Sequence, residues 1–134
     1  MDIQALARQI FDAQPFSRLI GARLSVLGDA QAEIVVDMRD DLRQQHGFVH
    51  GGVLSYLADN ALTFAGGLAL GGDALTAEFK INYLRPARGT RLIARAQSIG
   101  RGKRQAVCRC DIVSLEEGNE RLCAVAQGTI VAAR

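Results

Sequence analysis

Residues 50–73 read HGGVLSYLADNALTFAGGLALGGD, and the fold turns on how this run is read. Between Gly51 and about Leu70, the apolar residues Val53, Leu54, Tyr56, Leu57, Ala58, Ala61, Leu62, Phe64, Ala65, Leu68 and Ala69 cover most of a helical circumference. A helix that is apolar nearly all round is a buried one. GGD at 71–73 supplies its stop. One charged residue, Asp59, stands in the middle of the rod, with Ser55 four residues before it and Thr63 four after. At helical spacing the three form a narrow polar stripe. Such a stripe has two readings: a carboxylate tied down by neighbouring hydroxyls for structural reasons, or one that meets a polar ligand or partner.

Before this run, RDDLRQQHGFVHGG (39–52) is polar and glycine-bearing, which marks a loop. Further back, ARLSVLGDAQAEIVVDM (22–38) alternates at Ala32, Ile34, Val36 and Met38 and reads as two short strands about a turn at Gly28-Asp29. Residues 2–13 carry Ile3, Leu6, Ala7, Ile10 and Phe11 at helical spacing behind Asp2, a fitting N-cap. Pro15 then ends that helix, because the residue before proline is pushed out of the helical region. After the buried rod, ALTAEFKINYLRP (74–86), TRLIARAQSIG (90–100), RQAVCRCDIVSLEE (104–117) and ERLCAVAQGTIVAA (120–133) are strand-like and separated by turn-forming ARG, RGK and EGN. The expected fold is α+β: an antiparallel sheet that curls around one long central helix over 50–70, with a short N-terminal helix within 1–14, all in a single domain spanning 1–134.

The composition supports one compact domain. There are 134 residues, 49% of them apolar, enough for a real core and too few for two ordinary domains. No window approaches about 18 uninterrupted apolar residues, so no membrane role is expected. The N-terminus has early acids and no apolar leader, and reads as cytoplasmic sequence. Cys108, Cys110 and Cys123 are odd in number and lack a CxxC spacing, which fits reduced, half-buried thiols. His46 and His50 are the only histidines, a poor basis for a metal site.

Charge is distributed unevenly. Lys80, Arg85, Arg88, Arg91, Arg95, Arg101, Lys103, Arg104 and Arg109 lie between Phe79 and Cys110 with no acid among them, whereas residues 1–78 hold five bases and ten acids. A block of one sign points to a polyanionic partner, either nucleic acid or a phosphorylated small molecule. Only Phe79 and Tyr83 are interleaved with these bases, too few aromatics for a stacking nucleic-acid surface.

The helix start carries a second chemical feature. First-turn N–H groups have no partner inside their own helix. At Gly51 and Gly52 there is no side chain to keep a ligand atom from them, and the positive end of a helix favours a developing oxyanion. The plainer reading is that two glycines ease a tight turn. Gly51 and Asp59 are eight residues apart, about 12 Å along a helix. Within one chain they cannot flank one reacting carbon. If both act on one substrate they come from two subunits, with the rods antiparallel across a two-fold axis and two equal sites per dimer. In the preceding loop, Gln44 could donate to a carbonyl or hold a water, and His50 could cap the helix.

The segment HGFVHGGVLSYLADNA, with PFSRLIGARL before it and INYLRPA and GKRQAV after it, resembles the hotdog-fold acyl-CoA thioesterases, in the branch of the phenylacetate-pathway enzyme. The resemblance covers nearly the whole chain. Its most specific part is HGG followed, seven residues after the second glycine, by an acid on the same helix. It implies a long helix wrapped by a curved antiparallel sheet, dimers joined edge to edge, and pairs of dimers forming homotetramers. It implies that Asp59 is the general base or nucleophile and that the Gly51 N–H polarises the thioester carbonyl. Gln44 matches an amide position, His50 the signature histidine, Thr63 a hydroxyl one turn beyond the acid, and Thr76 a further pocket hydroxyl. The implied substrate is a small, medium-chain or aromatic acyl-CoA, with no cofactor. Arg85 of LRPA and Arg101, Lys103 and Arg104 of RGKR are the candidates for coenzyme A phosphates. Two other functions fit the same fold: a hydratase or dehydratase, which would pair a histidine with the acid, and a non-catalytic acyl-CoA-binding protein.

Overall fold

The structure is a computed structural model and describes residues 2–133. Two helices, α1 (Ile3–Asp12) and α2 (Pro15–Ile20), precede the strands β1 (Ala22–Gly28) and β2 (Gln31–Asp37). A single 3-10 turn (Asp40–Leu42) and a loop lead to the long helix α3 (Gly51–Leu70). The strands β3 (Ala74–Tyr83), β4 (Arg91–Arg101), β5 (Gln105–Glu116) and β6 (Asn119–Ala132) follow. All six strands form one antiparallel sheet in the order β1-β2-β4-β5-β6-β3.

The sheet covers α3 because alternate residues of its strands face the helix. Ile34 and Val36 of β2, Leu92 and Ala94 of β4, Cys110 and Ile112 of β5, and Ile130 of β6 join one core with Leu57, Ala58, Ala61, Leu62 and Ala65 of α3. Helix and sheet approach most tightly at Gly66, where a Cβ would stand 2.5 Å from the Cβ of Ile130. Gly71, at φ 79°, ends the helix in the left-handed conformation that glycine adopts without strain. By length and hydropathy α3 could cross a bilayer, but more than half of it is buried within this fold.

Three departures from the sequence reading have simple causes. The turn after α1 is a second short helix, because Pro15 occupies its N1 position, where a missing N–H is harmless. The polar stripe of α3 is wider than Ser55, Asp59 and Thr63: Tyr56 and Asn60 join it, all five half-buried, because Ser17 and Gln14 supply the two with polar partners. The basic block is not one cationic surface either. Antiparallel register sets Asp37 opposite Arg91 and Glu33 opposite Arg95, giving ion pairs of 2.8 and 3.0 Å, and Glu120 closes on Arg95 at 2.7 Å. Among the described residues Lys80, Arg88, Arg101, Lys103, Arg104 and Arg109 are in no ion pair.

Two features of the frame matter for the site. β3 pairs with β6 alone, and its other edge is open among the described residues. α1 lies across α3 through an edge-to-face contact of Phe11 with Phe64, ring centroids 5.6 Å apart.

Candidate active site

The middle of the α3 stripe holds an organised carboxylate. Thr76, the third residue of β3, donates its hydroxyl to Asp59 Oδ1 at 2.5 Å. Thr63, one turn along α3, bonds the Asp59 carbonyl at 2.7 Å and lies 2.6 Å from the Thr76 hydroxyl. Two protons serve these three contacts: Thr76 donates to the carboxylate, and the Thr63 proton is shared between the Asp59 carbonyl and the Thr76 oxygen. Asp59 Oδ2 has no hydrogen-bond partner among the described residues. One oxygen is thus anchored and the other is available on a half-open face.

The N-terminal end of α3 is built separately. His50 is the N-cap, and its Nδ1 accepts the Gly52 N–H at 2.8 Å. Its own backbone N–H donates to the Leu42 carbonyl at 2.9 Å, which ties the helix start to the 3-10 turn. The imidazole thus engages one of the two glycine amides. The Gly51 N–H has no acceptor among the described residues, so it is the donor left for a ligand. Tyr83, at the end of β3, lies over this turn: its hydroxyl is 2.7 Å from Ser55 Oγ and donates to the Gly51 carbonyl at 3.2 Å.

Gln44 lines the cleft in front of Gly51, a cavity of about 560 Å3 shared with Phe48, Leu54, Tyr83, Leu84 and Arg85. Its side-chain oxygen accepts the His46 N–H, so its NH2 group remains free to donate. Arg85 reaches Glu116 only at 4.0 Å, a loose contact. Arg88 lies over the Phe48 ring at 4.8 Å from its centroid.

The structure brings Asp59, Thr63 and Thr76 together, and it separately brings Gln44, His50, Gly51, Gly52 and Arg85 together. The two groups sit on different stretches of one rod. Arg101, Lys103 and Arg104 form a third group at the β4–β5 turn. Their neighbour Gln105 pairs with Val131, and Ala132 pairs with Ala74, which places them toward the C-terminal end of α3. A 20-residue helix is about 30 Å long, so Arg85 and the 101–104 cluster of one chain are at opposite ends of it.

Tyr83 is the neighbour of Gly51 that sequence reasoning missed; only the register of β3 against α3 places it there. No cysteine side chain lines the cleft at Gly51, although the Cys123 carbonyl accepts the Leu84 N–H at 2.9 Å. Burial pushes the thiol of Cys108 up to about 11, that of Cys110 up to about 12 and that of Cys123 up to about 11.

Comparison with known proteins gives a consistent picture. The family description "Thioesterase superfamily" matches residues 46–120. A candidate esterase of Saccharolobus solfataricus is 30% identical over 127 residues, covering 94% of this chain and 83% of its own. The crystal structure of a thioesterase family protein from Silicibacter pomeroyi is 32% identical, with a TM-score of 0.92 over 96% of each chain. A mutant of the phenylacetic acid degradation protein PaaI from Thermus thermophilus is 31% identical, with a TM-score of 0.79 over 90% of this chain and 100% of its own.

Proposed function

The chain belongs to the thioesterase superfamily, and from that premise we propose that it hydrolyses acyl-coenzyme A to free acid and coenzyme A at a site that two subunits share. Membership makes it a thioester hydrolase of hotdog fold. The observation that carries the rest is the division of the machinery along α3. The anchored carboxylate of Asp59 and the unpartnered N–H of Gly51 stand eight residues apart on one helix, about 12 Å, too far for one carbon. Two α3 rods lying antiparallel bring Asp59 of one subunit to the partner subunit's Gly51. The open edge of β3, with Leu75 61% exposed and Tyr83 and Leu84 each 53% exposed, supports an edge-to-edge dimer, because a long bare edge invites a second strand. Pairs of such dimers give the tetramer.

In this site the partner subunit's Gly51 N–H bonds the thioester oxygen. Asp59 Oδ2 takes a proton from water as the water oxygen adds to the thioester carbon, and the carbonyl electron pair moves to the oxygen held by that N–H. The intermediate collapses, the C–S bond breaks, and the leaving thiolate takes the proton back from Asp59. Alternatively, Asp59 Oδ2 adds to the carbon itself and expels the thiolate, and water cleaves the resulting anhydride. Both routes need the same geometry: Thr76 holds one carboxylate oxygen and leaves the other free. Gln44 donates to the carbonyl or the water, and His50 holds the glycine turn. A good oxyanion donor contributes about 3–4 kcal/mol, enough for a bond as activated as a thioester when a base is also in reach.

The coenzyme A phosphates lie at the protein surface. Arg85, beside Gly51, and Arg101, Lys103 and Arg104 at the β4–β5 turn are the candidate cations for these phosphates. Such a substrate places the enzyme in the cytoplasm and calls for no nucleic acid, membrane or cofactor. The test is release of free coenzyme A from short, medium and aromatic acyl-CoAs, read with a thiol reagent. Wild type turns them over, and Asp59→Asn loses about 10²–10⁴ in rate. Full activity in Asp59→Asn would remove the carboxylate from the chemistry. Tight binding without release by wild type would make the protein a binder.

A further inference from the structure

We infer that the acyl group is received by the apolar cavity between α1, the second half of α3 and the start of β3, and that α1 sets the acyl length accepted. This rests on the acyl-CoA reading and extends it to the substrate's apolar end. The cavity measures about 230 Å3. Ile3, Leu6 and Ile10 form one wall, Phe64 and Leu68 another, and Leu75 the third. On α1, Ala7 and Phe11 are buried in the core, whereas Ile3, Leu6 and Ile10 are only half-buried. The helix thus shows the cavity an apolar face that the fold itself leaves unfilled, and such a face gains from an apolar guest.

One end of this cavity meets the catalytic group. Thr63 lines it and is bonded through Thr76 to the Asp59 carboxylate. An acyl-CoA whose thioester carbon stands at Asp59 therefore has the cavity mouth one helical turn away, about 5.4 Å. Of the polar side chains on the wall, Gln14 and Thr63 are engaged within the fold, and Asp73 is exposed with one carboxylate oxygen engaged. Gln14 Oε1 accepts from Ser17 at 2.6 Å and from Asn60 at 3.0 Å, and Asp73 Oδ1 accepts the Ala74 N–H at 3.0 Å. The guest is an unsubstituted apolar group. A cavity of about 150 Å3 accepts benzene, so this one takes a single ring with a short link. At ~30 Å3 per water-sized unit, it takes a straight chain of about eight carbons.

Binding of S-alkyl-CoA thioethers, which cannot be hydrolysed, tests this without turnover. Titration calorimetry of wild type with ethyl to dodecyl analogues is expected to show affinity rising up to about fourfold per methylene, then levelling near eight carbons. Leu6→Trp fills the cavity and ends the rise near butyl. Leu68→Ala enlarges it and moves the plateau outward by two or three carbons. The same slope and plateau in all three proteins overturns the inference. So does a Leu6→Trp protein that sediments as a monomer, since α1 would then be a subunit seam. No binding of any analogue overturns both this inference and the acyl-CoA reading. Chain-length-dependent binding that Leu6→Trp shortens, in a protein that hydrolyses no acyl-CoA, supports the cavity assignment and defeats only the hydrolytic reading.

Discussion

Asp59 and Gly51 differ in what a substitution can remove. In the proposed mechanism Asp59 acts through its side chain, so a neutral isostere suffices to remove its role. In the same proposal Gly51 acts through its backbone N–H, and only proline deletes it. The site tolerates that change: Gly51 is the first helical residue, where proline is favoured, and His50 before it already has φ −61° and ψ 134°, the extended conformation a following proline requires. A Cβ at Gly51 comes no closer than 3.4 Å to the Tyr83 hydroxyl. Gly51→Pro is therefore expected to fold, with an unfolding midpoint within a few degrees of wild type, and to lose about 10²–10³ in kcat. Retained kcat would remove the oxyanion role. Asp59, Gly51 and His50 are legible in the sequence because helical spacing and the loop-to-helix switch are local signals. The His50 contact that occupies Gly52 and leaves Gly51 free is also local, since the two are only two residues apart. Thr76 and Tyr83 contact α3 through the placement of β3, which no local pattern encodes.

The cysteines give a second residue-scale expectation. Folded thiols at about 11 and 12 against an ordinary 9.0 are protonated at the pH of a thiol assay and add no background to it. The sign for stability follows from linkage. The unfolded chain releases these protons first, so the stability tied to the neutral thiols is whole below pH 9 and is lost as pH rises toward 11–12. Stoichiometric labelling of the native protein at pH 8 would contradict this.

Among the elements, α3 is legible as the buried rod with a polar stripe of Ser55, Asp59 and Thr63, but the widening by Tyr56 and Asn60 is not, because their partners Ser17 and Gln14 come from a distant segment of the chain. α2 escapes a local reading because Pro15 stops one helix and also starts the next. The basic block is continuous along the chain, where acids are absent. Its partners Asp37, Glu33 and Glu120 arrive from other strands. The tight passage of α3 over β6 makes its own prediction. Gly66→Ala would force a Cβ against Ile130 and is expected to cost about 1–3 kcal/mol. Gly100→Ala, with nothing within 4 Å, is expected to be near neutral. Equal thermal midpoints for the two variants would show that the helix can lift off the sheet at no cost.

At the scale of the whole molecule, one chain holds the Asp59 group and the Gly51 group at different points of a rod about 30 Å long. In the proposed dimer a two-fold axis makes two complete sites of them. The length of the rod and the Gly51–Asp59 spacing are enough to argue for this from sequence. The acyl cavity is not legible there, because it arises from the packing of α1, α3 and β3, three segments far apart in the chain.

Subunit complementation tests the shared site most directly. Asp59→Asn and Gly51→Pro proteins, each nearly inactive alone, are mixed in equal amounts, unfolded and refolded together. Half of the random dimers are then mixed, and each mixed dimer carries one intact site and one doubly damaged one. The account predicts recovery of about a quarter of wild-type activity. Activity no higher than that of the two parents, with mixed dimers verified, would mean that the carboxylate and the amide serve their substrate within one chain, and the shared site would be wrong.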